Sequence, residues 1–160
     1  GDIPLTLAQT IPITGILVVT TPQDVASNVA VKAIGMFEKL NVPILGVIEN
    51  MSHFICSKCS EKHYIFGNGG AEKISKQFNI PFLGDIPLNA GIMSGSDLGQ
   101  PIMISSPDSP SAIAFRTSAK NIAAQCSILA AKLKEEMESG TSDGASENSN
   151  SESLSETSTN

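Results

Sequence analysis

The sequence is poor in aromatic residues: among 160 residues there is no tryptophan and one tyrosine, and aromatic side chains make up 4% of the chain. Proteins that bind single strands of nucleic acid usually stack the bases on aromatic side chains beside a basic groove. With few aromatic residues and no basic patch, we expect no nucleic-acid partner. The sequence also lacks the run of roughly 18 apolar residues that a membrane-spanning helix needs, so we expect no membrane partner.

Cysteine is scarce as well, with three residues in the chain. A small, odd number argues against a framework of disulfide bonds, which is typical of small secreted domains. The sequence therefore favours a reducing compartment, and we expect a cytoplasmic protein with free thiols.

Positive charge is missing from the last part of the chain. Residues 135–160 contain seven of the 16 acidic residues and none of the ten lysines and arginines, so the net charge of −6 belongs to this segment. From Glu138 onward nearly every residue is Ser, Thr, Glu, Asn, Asp or Gly, and such a segment cannot bury enough apolar surface to fold. We predict a folded domain over residues 1–137 and a disordered, acidic, Ser-rich tail over residues 138–160.

Two continuous apolar runs, residues 15–20 and 42–48, are typical of buried strands. Between them, Pro22 to Leu40 has the length and start signals of a helix. A strand, a helix and a strand in this order predict two parallel strands joined by a right-handed crossover. The apolar stripe that we predict for this helix consists of Val25, Val29, Ala33, Phe37 and Leu40.

The rest of the chain continues the alternation of helices and strands. We predict a helix over 70–78, a strand over 81–86, turns with one helical turn over 87–99, an edge strand over 101–105 and a helix over 108–137. The pattern predicts an α/β fold, in which helices flank a parallel sheet.

Cys56 and Cys59 lie in a loop after the second predicted strand, where α/β proteins usually bind ligands. Their C-x-x-C spacing lets both sulfurs chelate one metal, but it supplies half of a site with four ligands. Cys126 lies in a helix pattern and is predicted to be buried. The other half comes either from His53 and His63, in a zinc site, or from a second copy of the chain.

Five segments occur in the order seen in one known family. They are VVTTPQDVA (18–26), GVIENMSHFICSKC (46–59), IFGNGGAEKI (65–74), PFLGDIPLN (81–89) and SPDSPSA (106–112). Through them the chain resembles the Mrp/ApbC-type iron–sulfur cluster carriers, which are P-loop ATPases related to MinD and nitrogenase iron protein. The resemblance implies a homodimer that holds a 4Fe–4S cluster between Cys56 and Cys59 of its two chains. It also implies partners: a scaffold that provides the cluster and apoproteins that receive it.

The same family binds ATP and Mg²⁺ through a Gly-rich phosphate loop, G-x-x-x-x-G-K-[ST], which this sequence does not contain. By resemblance the chain is the C-terminal portion of such an ATPase, and we assign no catalytic residue in it. The resemblance places the adenine base beside Asn50, Pro87 and Asn89. From the sequence pattern alone, Asn50 is a turn residue at the end of a strand.

Two other functions fit the sequence. One is an interaction domain that a zinc ion stabilises through Cys56, Cys59 and one or both histidines, without any transfer. The other is a fragment of a partitioning-type ATPase that uses the cysteine loop for contacts and binds no cluster.

Overall fold

The computed structural model describes residues 2–56 and 58–142. The strands within these residues are β1 (Ile16–Thr20), β2 (Ile44–Ile55), β3 (Lys62–His63) and β4 (Phe82–Leu88). The helices are α1 (Asp2–Thr10), α2 (Asp24–Lys39), α3 (Gly70–Phe78), α4 (Ala90–Asp97), α5 (Ile102–Ser105) and α6 (Pro110–Ser142).

β2 is the central strand of the sheet. β1 pairs with it in parallel on one side, and β4 pairs with it in parallel on the other. The short β3 returns antiparallel and pairs with Phe54 and Ile55, the last two residues of β2. The parallel pairing of β1, β2 and β4 confirms the predicted α/β fold.

The core lies on both faces of the sheet, because successive residues of a strand point in opposite directions. Val47 belongs to a cluster formed with α2 and α3, and its neighbour Ile48 belongs to a cluster formed with β4, α4 and α6. Helices therefore cover both faces of the central strand, which explains its continuous run of apolar residues.

β2 continues to Ile55, whereas the sequence pattern predicted that this strand ends at residue 48. Its ladder with β4 is irregular after Asn50, which pairs with Ile86, and it resumes where Phe54 pairs with Leu88. Met51 lies in this gap with a φ of 53°. Extra residues on one strand of a pair form a bulge, which bends the strand without ending it.

Two predicted segments differ in the structure. Residues 101–105 were predicted as an edge strand, but Ile102–Ser105 is the helix α5, and Ile102 is buried. A short apolar run does not distinguish a strand from a buried helix by its periodicity. The predicted turns of residues 87–99 contain the helix α4, which Asn89 caps by accepting a hydrogen bond from the Gly91 amide at 2.7 Å.

The buried face of α2 agrees with the prediction at Phe37 but not at Val25 and Val29. The structure buries Ala30, Ile34 and Phe37, whereas Val25 and Val29 are mostly exposed. Both sets of residues follow helical spacing, so the periodicity alone allowed either face.

Two compact units divide the chain at Cys126 and Ser127, so that α6 begins in the first unit and ends in the second. α6 reaches Ser142 and so includes the first five residues of the predicted tail. The remaining tail, residues 143–160, lies outside the described residues, so the predicted domain boundary stays a prediction. In the described part of the chain, no helix combines the length and apolar character needed to cross a membrane.

Candidate functional site

The cysteine loop connects β2 to β3 and is closed by backbone hydrogen bonds. The Cys56 amide donates to the Glu61 carbonyl at 3.0 Å, and the Ser60 amide donates to the Cys56 carbonyl at 2.8 Å. The loop therefore extends the hairpin at the carboxyl end of the central strand, where the sequence predicted a ligand site.

The two thiols of this loop are close together at the surface. Cys56 is partly buried, and Cys59 is exposed. The pKa of Cys56 is lowered, because its sulfur accepts hydrogen bonds from the Cys59 amide, the Lys58 amide and the Cys59 thiol. Hydrogen bonds to the charged form favour the thiolate, which is the form that binds metal.

Cys126 lies on α6 and is partly buried, rather than fully buried as predicted. It does not belong to the group of metal-ligating side chains that the structure brings together within the described residues.

His53 is a buried residue of β2, not the loop residue that the sequence predicted. Its Nδ1 atom lies 2.9 Å from Ser52 Oγ and 3.3 Å from Asp85 Oδ2. Burial and then the charge of Lys62 lower the pKa of His53, whereas Asp85 and Glu49 raise it by smaller amounts. The imidazole of His53 is thus held by contacts with Ser52 and Asp85 inside the sheet. This argues against the zinc site in which His53 would be a ligand together with the cysteines.

His63 lies on β3 and is close to Cys59. Cys59, Glu61 and His63 each offer one ligand atom, and these atoms lie within 4.8 Å of one another. All three side chains are exposed. Sequence reasoning named His63 and Cys59 but missed Glu61, because the turn that brings Cys59 close to Glu61, with a φ of 61° at Ser60, has no signal in the spacing of the residues.

The three residues predicted to face adenine line two different cavities. Pro87 and Asn89 line a cavity of about 470 Å³ together with Cys56. Asn50 lines a cavity of about 710 Å³ beside β1 and α2, and its Oδ1 atom accepts a hydrogen bond from the Met51 amide at 3.0 Å. Asn50 lies within β2, not at its end, but it pairs with Ile86, the residue before Pro87.

Residues 1–123 match the family described as ParA, NUBPL iron-transfer P-loop NTPase. The chain belongs to this family. The predicted membership of the iron–sulfur carrier ATPases is therefore confirmed.

Individual relatives agree with this assignment. The chain is 46% identical over 129 residues to the iron-sulfur cluster transfer protein NUBPL of Dictyostelium discoideum, a match that covers 81% of the chain and 40% of the relative. It is 50% identical over 125 residues to the iron-sulfur cluster carrier protein of Escherichia coli strain K12, and this match covers 78% of the chain and 34% of the relative. The chain thus spans well under half the length of these relatives.

A solved structure shows the same fold. The nucleotide-binding protein of Archaeoglobus fulgidus, in complex with ADP, superimposes with a TM-score of 0.59 at 36% identity. The match covers 72% of this chain and 46% of that protein.

Two buried polar residues of this NUBPL-type chain escaped the sequence analysis. Glu49 is 4% exposed and accepts a hydrogen bond from the Ala71 amide at the start of α3. Ser52 is 2% exposed and lies 3.1 Å from Asp85 Oδ2 and 3.2 Å from the Ile86 carbonyl oxygen. The sequence offers one signal for them: each is a polar residue inside a strand. A polar residue that is buried in a strand needs a hydrogen-bond partner.

Proposed function

We propose that two copies of this chain hold one iron–sulfur cluster between them and transfer it to recipient apoproteins. The observation that supports it most is the pair of thiols, Cys56 and Cys59, at the tip of the hairpin in a chain whose relatives are named cluster carriers. The cluster is the cargo, received from a scaffold protein and released to a recipient.

The number of thiolates argues for two copies of the chain. A 4Fe–4S cluster takes about four thiolates, and one chain offers two adjacent ones. A two-fold axis beside the hairpin brings four sulfurs to one point, as a symmetric interface does. The exposure of Cys59 suits this arrangement, because an exposed ligand can reach a second copy.

The position of the thiols near the surface, with Cys59 exposed, also suits release. A cluster held at a seam between two copies is accessible to the thiols of a recipient, whereas a cluster buried in one chain is not. The three free thiols of the chain favour a reducing, cytoplasm-like compartment for this exchange.

The nucleotide part of the proposal concerns the adenine base. Pro87 and Asn89 line one wall beside the cysteine loop, and Asn50 is one strand spacing away. The Asn89 Oδ1 atom already accepts the Gly91 hydrogen bond, but an amide oxygen has a second lone pair and its NH₂ group remains a donor. ATP and Mg²⁺ belong to the complete ATPase, since this sequence has no phosphate loop.

Reconstitution of the reduced chain with iron and sulfide without oxygen tests the cluster. We expect one cluster per dimer, measured by iron counting and sizing, and we expect Cys56→Ala and Cys59→Ala to lose both the cluster and the cluster-dependent dimer. Cys126→Ala is the matched control and keeps both. A monomer with a full cluster, or a Cys59→Ala variant that still holds one, contradicts the proposal.

A further inference from the structure

The exposed face of the β2–β3 hairpin collects three different ligand types. Cys59, Glu61 and His63 lie on the short segment that leaves the turn of the loop, passes through Ser60 with a φ of 61°, and enters β3. The His63 Nε2 atom lies 4.0 Å from Glu61 Oε2, and the ligand atoms of all three residues lie within 4.8 Å of one another.

The backbone holds these residues in place. Lys62 and His63 pair with Ile55 and Phe54 of the central strand, and the Glu61 carbonyl accepts the Cys56 amide. Lys62 lies between Glu61 and His63 and so alternates to the opposite side, where it lines a separate cavity of about 410 Å³ with His53 and Asp85. Its ammonium group therefore does not share the face of the three ligands.

Thiolate, imidazole and carboxylate groups are the side-chain ligands that proteins use for Zn²⁺ and for similar divalent ions such as Co²⁺ and Fe²⁺. Metal–ligand bonds of about 2.0–2.3 Å place two ligand atoms roughly 3.5 Å apart in a tetrahedral site. The three side chains reach that spacing by moving about 1 Å closer, which their exposure permits. Because metal ligands bind in their deprotonated forms, Cys59 and Glu61 together neutralise one bound divalent ion.

We propose that Cys59, Glu61 and His63 of a single chain bind one divalent transition-metal ion, with a fourth position open to water. Cys56 lies outside this set, since its sulfur is not among the ligand atoms that lie within 4.8 Å of one another. This set also differs from the zinc site expected from the sequence, since it contains Glu61 and excludes His53.

Cys59 belongs to this site and to the proposed cluster site, so one sulfur serves both. If the proposed function holds, a chain that carries the single ion cannot also bridge a cluster until the ion leaves. The ion thus regulates cluster loading, and this consequence rests on the proposed function, whereas the metal site itself does not.

Titration of the reduced, metal-free chain with Co²⁺ tests the site. We expect one ion per monomer, with the visible absorption of tetrahedral cobalt and a thiolate-to-cobalt charge-transfer band. Glu61→Gln and His63→Asn remove one ligand each and should weaken Co²⁺ binding at least about tenfold, in line with the loss of one bond. Both side chains are exposed, so the variants should keep the melting temperature of the original chain.

Two further variants make the test specific. Glu72→Gln changes an exposed glutamate of α3 outside the hairpin and should bind Co²⁺ like the original chain. Cys56→Ala should also keep the ion while losing the cluster. Unchanged Co²⁺ affinity in Glu61→Gln and His63→Asn, or loss of Co²⁺ in Cys56→Ala, overturns the three-ligand site.

Cluster reconstitution separates this inference from the proposed function. His63→Asn should load a cluster as the original chain does, and prior Zn²⁺ should slow loading in the original chain but not in His63→Asn. A chain that binds Co²⁺ through the three residues but never holds a cluster contradicts the proposed function and leaves the metal site standing. Equal loading with and without Zn²⁺ refutes the regulation.

Discussion

The Glu49 carboxylate accepts a hydrogen bond from the Ala71 amide at 2.9 Å, which joins the central strand to the first turn of α3. Glu49 is 4% exposed, so this is a charge removed from water. The first amides of a helix lack partners within the helix and carry partial positive charge, and a carboxylate there satisfies one of them. One acidic side chain thus fixes α3 against the strand that leads to the cysteine loop.

Replacement of this carboxylate should weaken the fold. We expect Glu49→Ala to lower the free energy of unfolding by about 1–3 kcal/mol, because the Ala71 amide loses its partner in a buried place. Urea denaturation measures it, with Glu72→Ala, an exposed acid in the first turn of the same helix, as a control that should lose less than about 1 kcal/mol. Equal stability of the two variants would contradict the role of Glu49.

Two glycine substitutions should have opposite signs. Gly46 has a φ of 148°, and a Cβ atom there would lie 2.5 Å from the Pro81 carbonyl oxygen, so Gly46→Ala should destabilise the fold by more than about 1 kcal/mol. Gly35 lies within α2 with nothing near its Cβ position, so Gly35→Ala should stabilise it by roughly 0.5–1 kcal/mol. Melting curves of both variants check this, and a stabilising Gly46→Ala would contradict the close approach of the strands.

The buried imidazole of His53 should make stability depend on pH. Its pKa is lowered from 6.5 in the folded chain, mainly by burial and next by Lys62. The unfolded chain therefore takes up the proton first, and stability falls as the pH drops below about 6.5 towards the folded pKa.

Denaturation between pH 7 and 5 measures this effect. The original chain should lose more stability over this range than His53→Asn. His63→Asn, which removes an exposed imidazole, should behave like the original chain. The same slope in His53→Asn as in the original chain would show that another group titrates.

Nucleotide binding by residues 1–160 should be weak. The sequence has no phosphate loop, whose amides and lysine hold the phosphates of ATP, so we expect no ATP hydrolysis and no tight binding. Calorimetry and phosphate release measure both. A micromolar affinity for ATP would contradict this expectation and would show that the adenine contacts alone are sufficient.

The sequence predicted the three parallel strands because each is a short apolar run bounded by turn residues. It misplaced the end of the central strand, since the polar residues Glu49 and Ser52 indicate a loop until their hydrogen-bond partners on α3 and β4 are known. It also predicted the buried face of α2 only in part, because helical spacing fits the stripe through Val25 and Val29 as well as the one through Ile34, and Phe37 belongs to both.

The site was predictable to the extent that it is local in sequence. Cys56 and Cys59 are recognisable by their spacing, and His63 is recognisable because it lies close to them in the sequence. Glu61 lies near the other two ligands because of the path of the backbone after the loop. His53 is held away from the cysteines by its contact with Asp85, a residue 32 positions away. Such contacts across the sheet follow from the register of β2 and β4, which the sequence pattern did not define.

The two thiols are attached to parts of the sheet that differ greatly in the number of backbone pairs that hold them. Cys56 follows directly on the central strand, which is paired on both sides, whereas Cys59 precedes a strand of two residues. Local opening of a protein begins where few hydrogen bonds must break, so β3 separates from β2 long before β2 leaves β1 and β4. Amide hydrogens of Lys62 and His63 should therefore exchange with solvent well before those of Val47 and Ile48. A bound cargo would lose its Cys59 bond first and stay tethered by Cys56, which makes its departure a stepwise process that does not require unfolding of the domain.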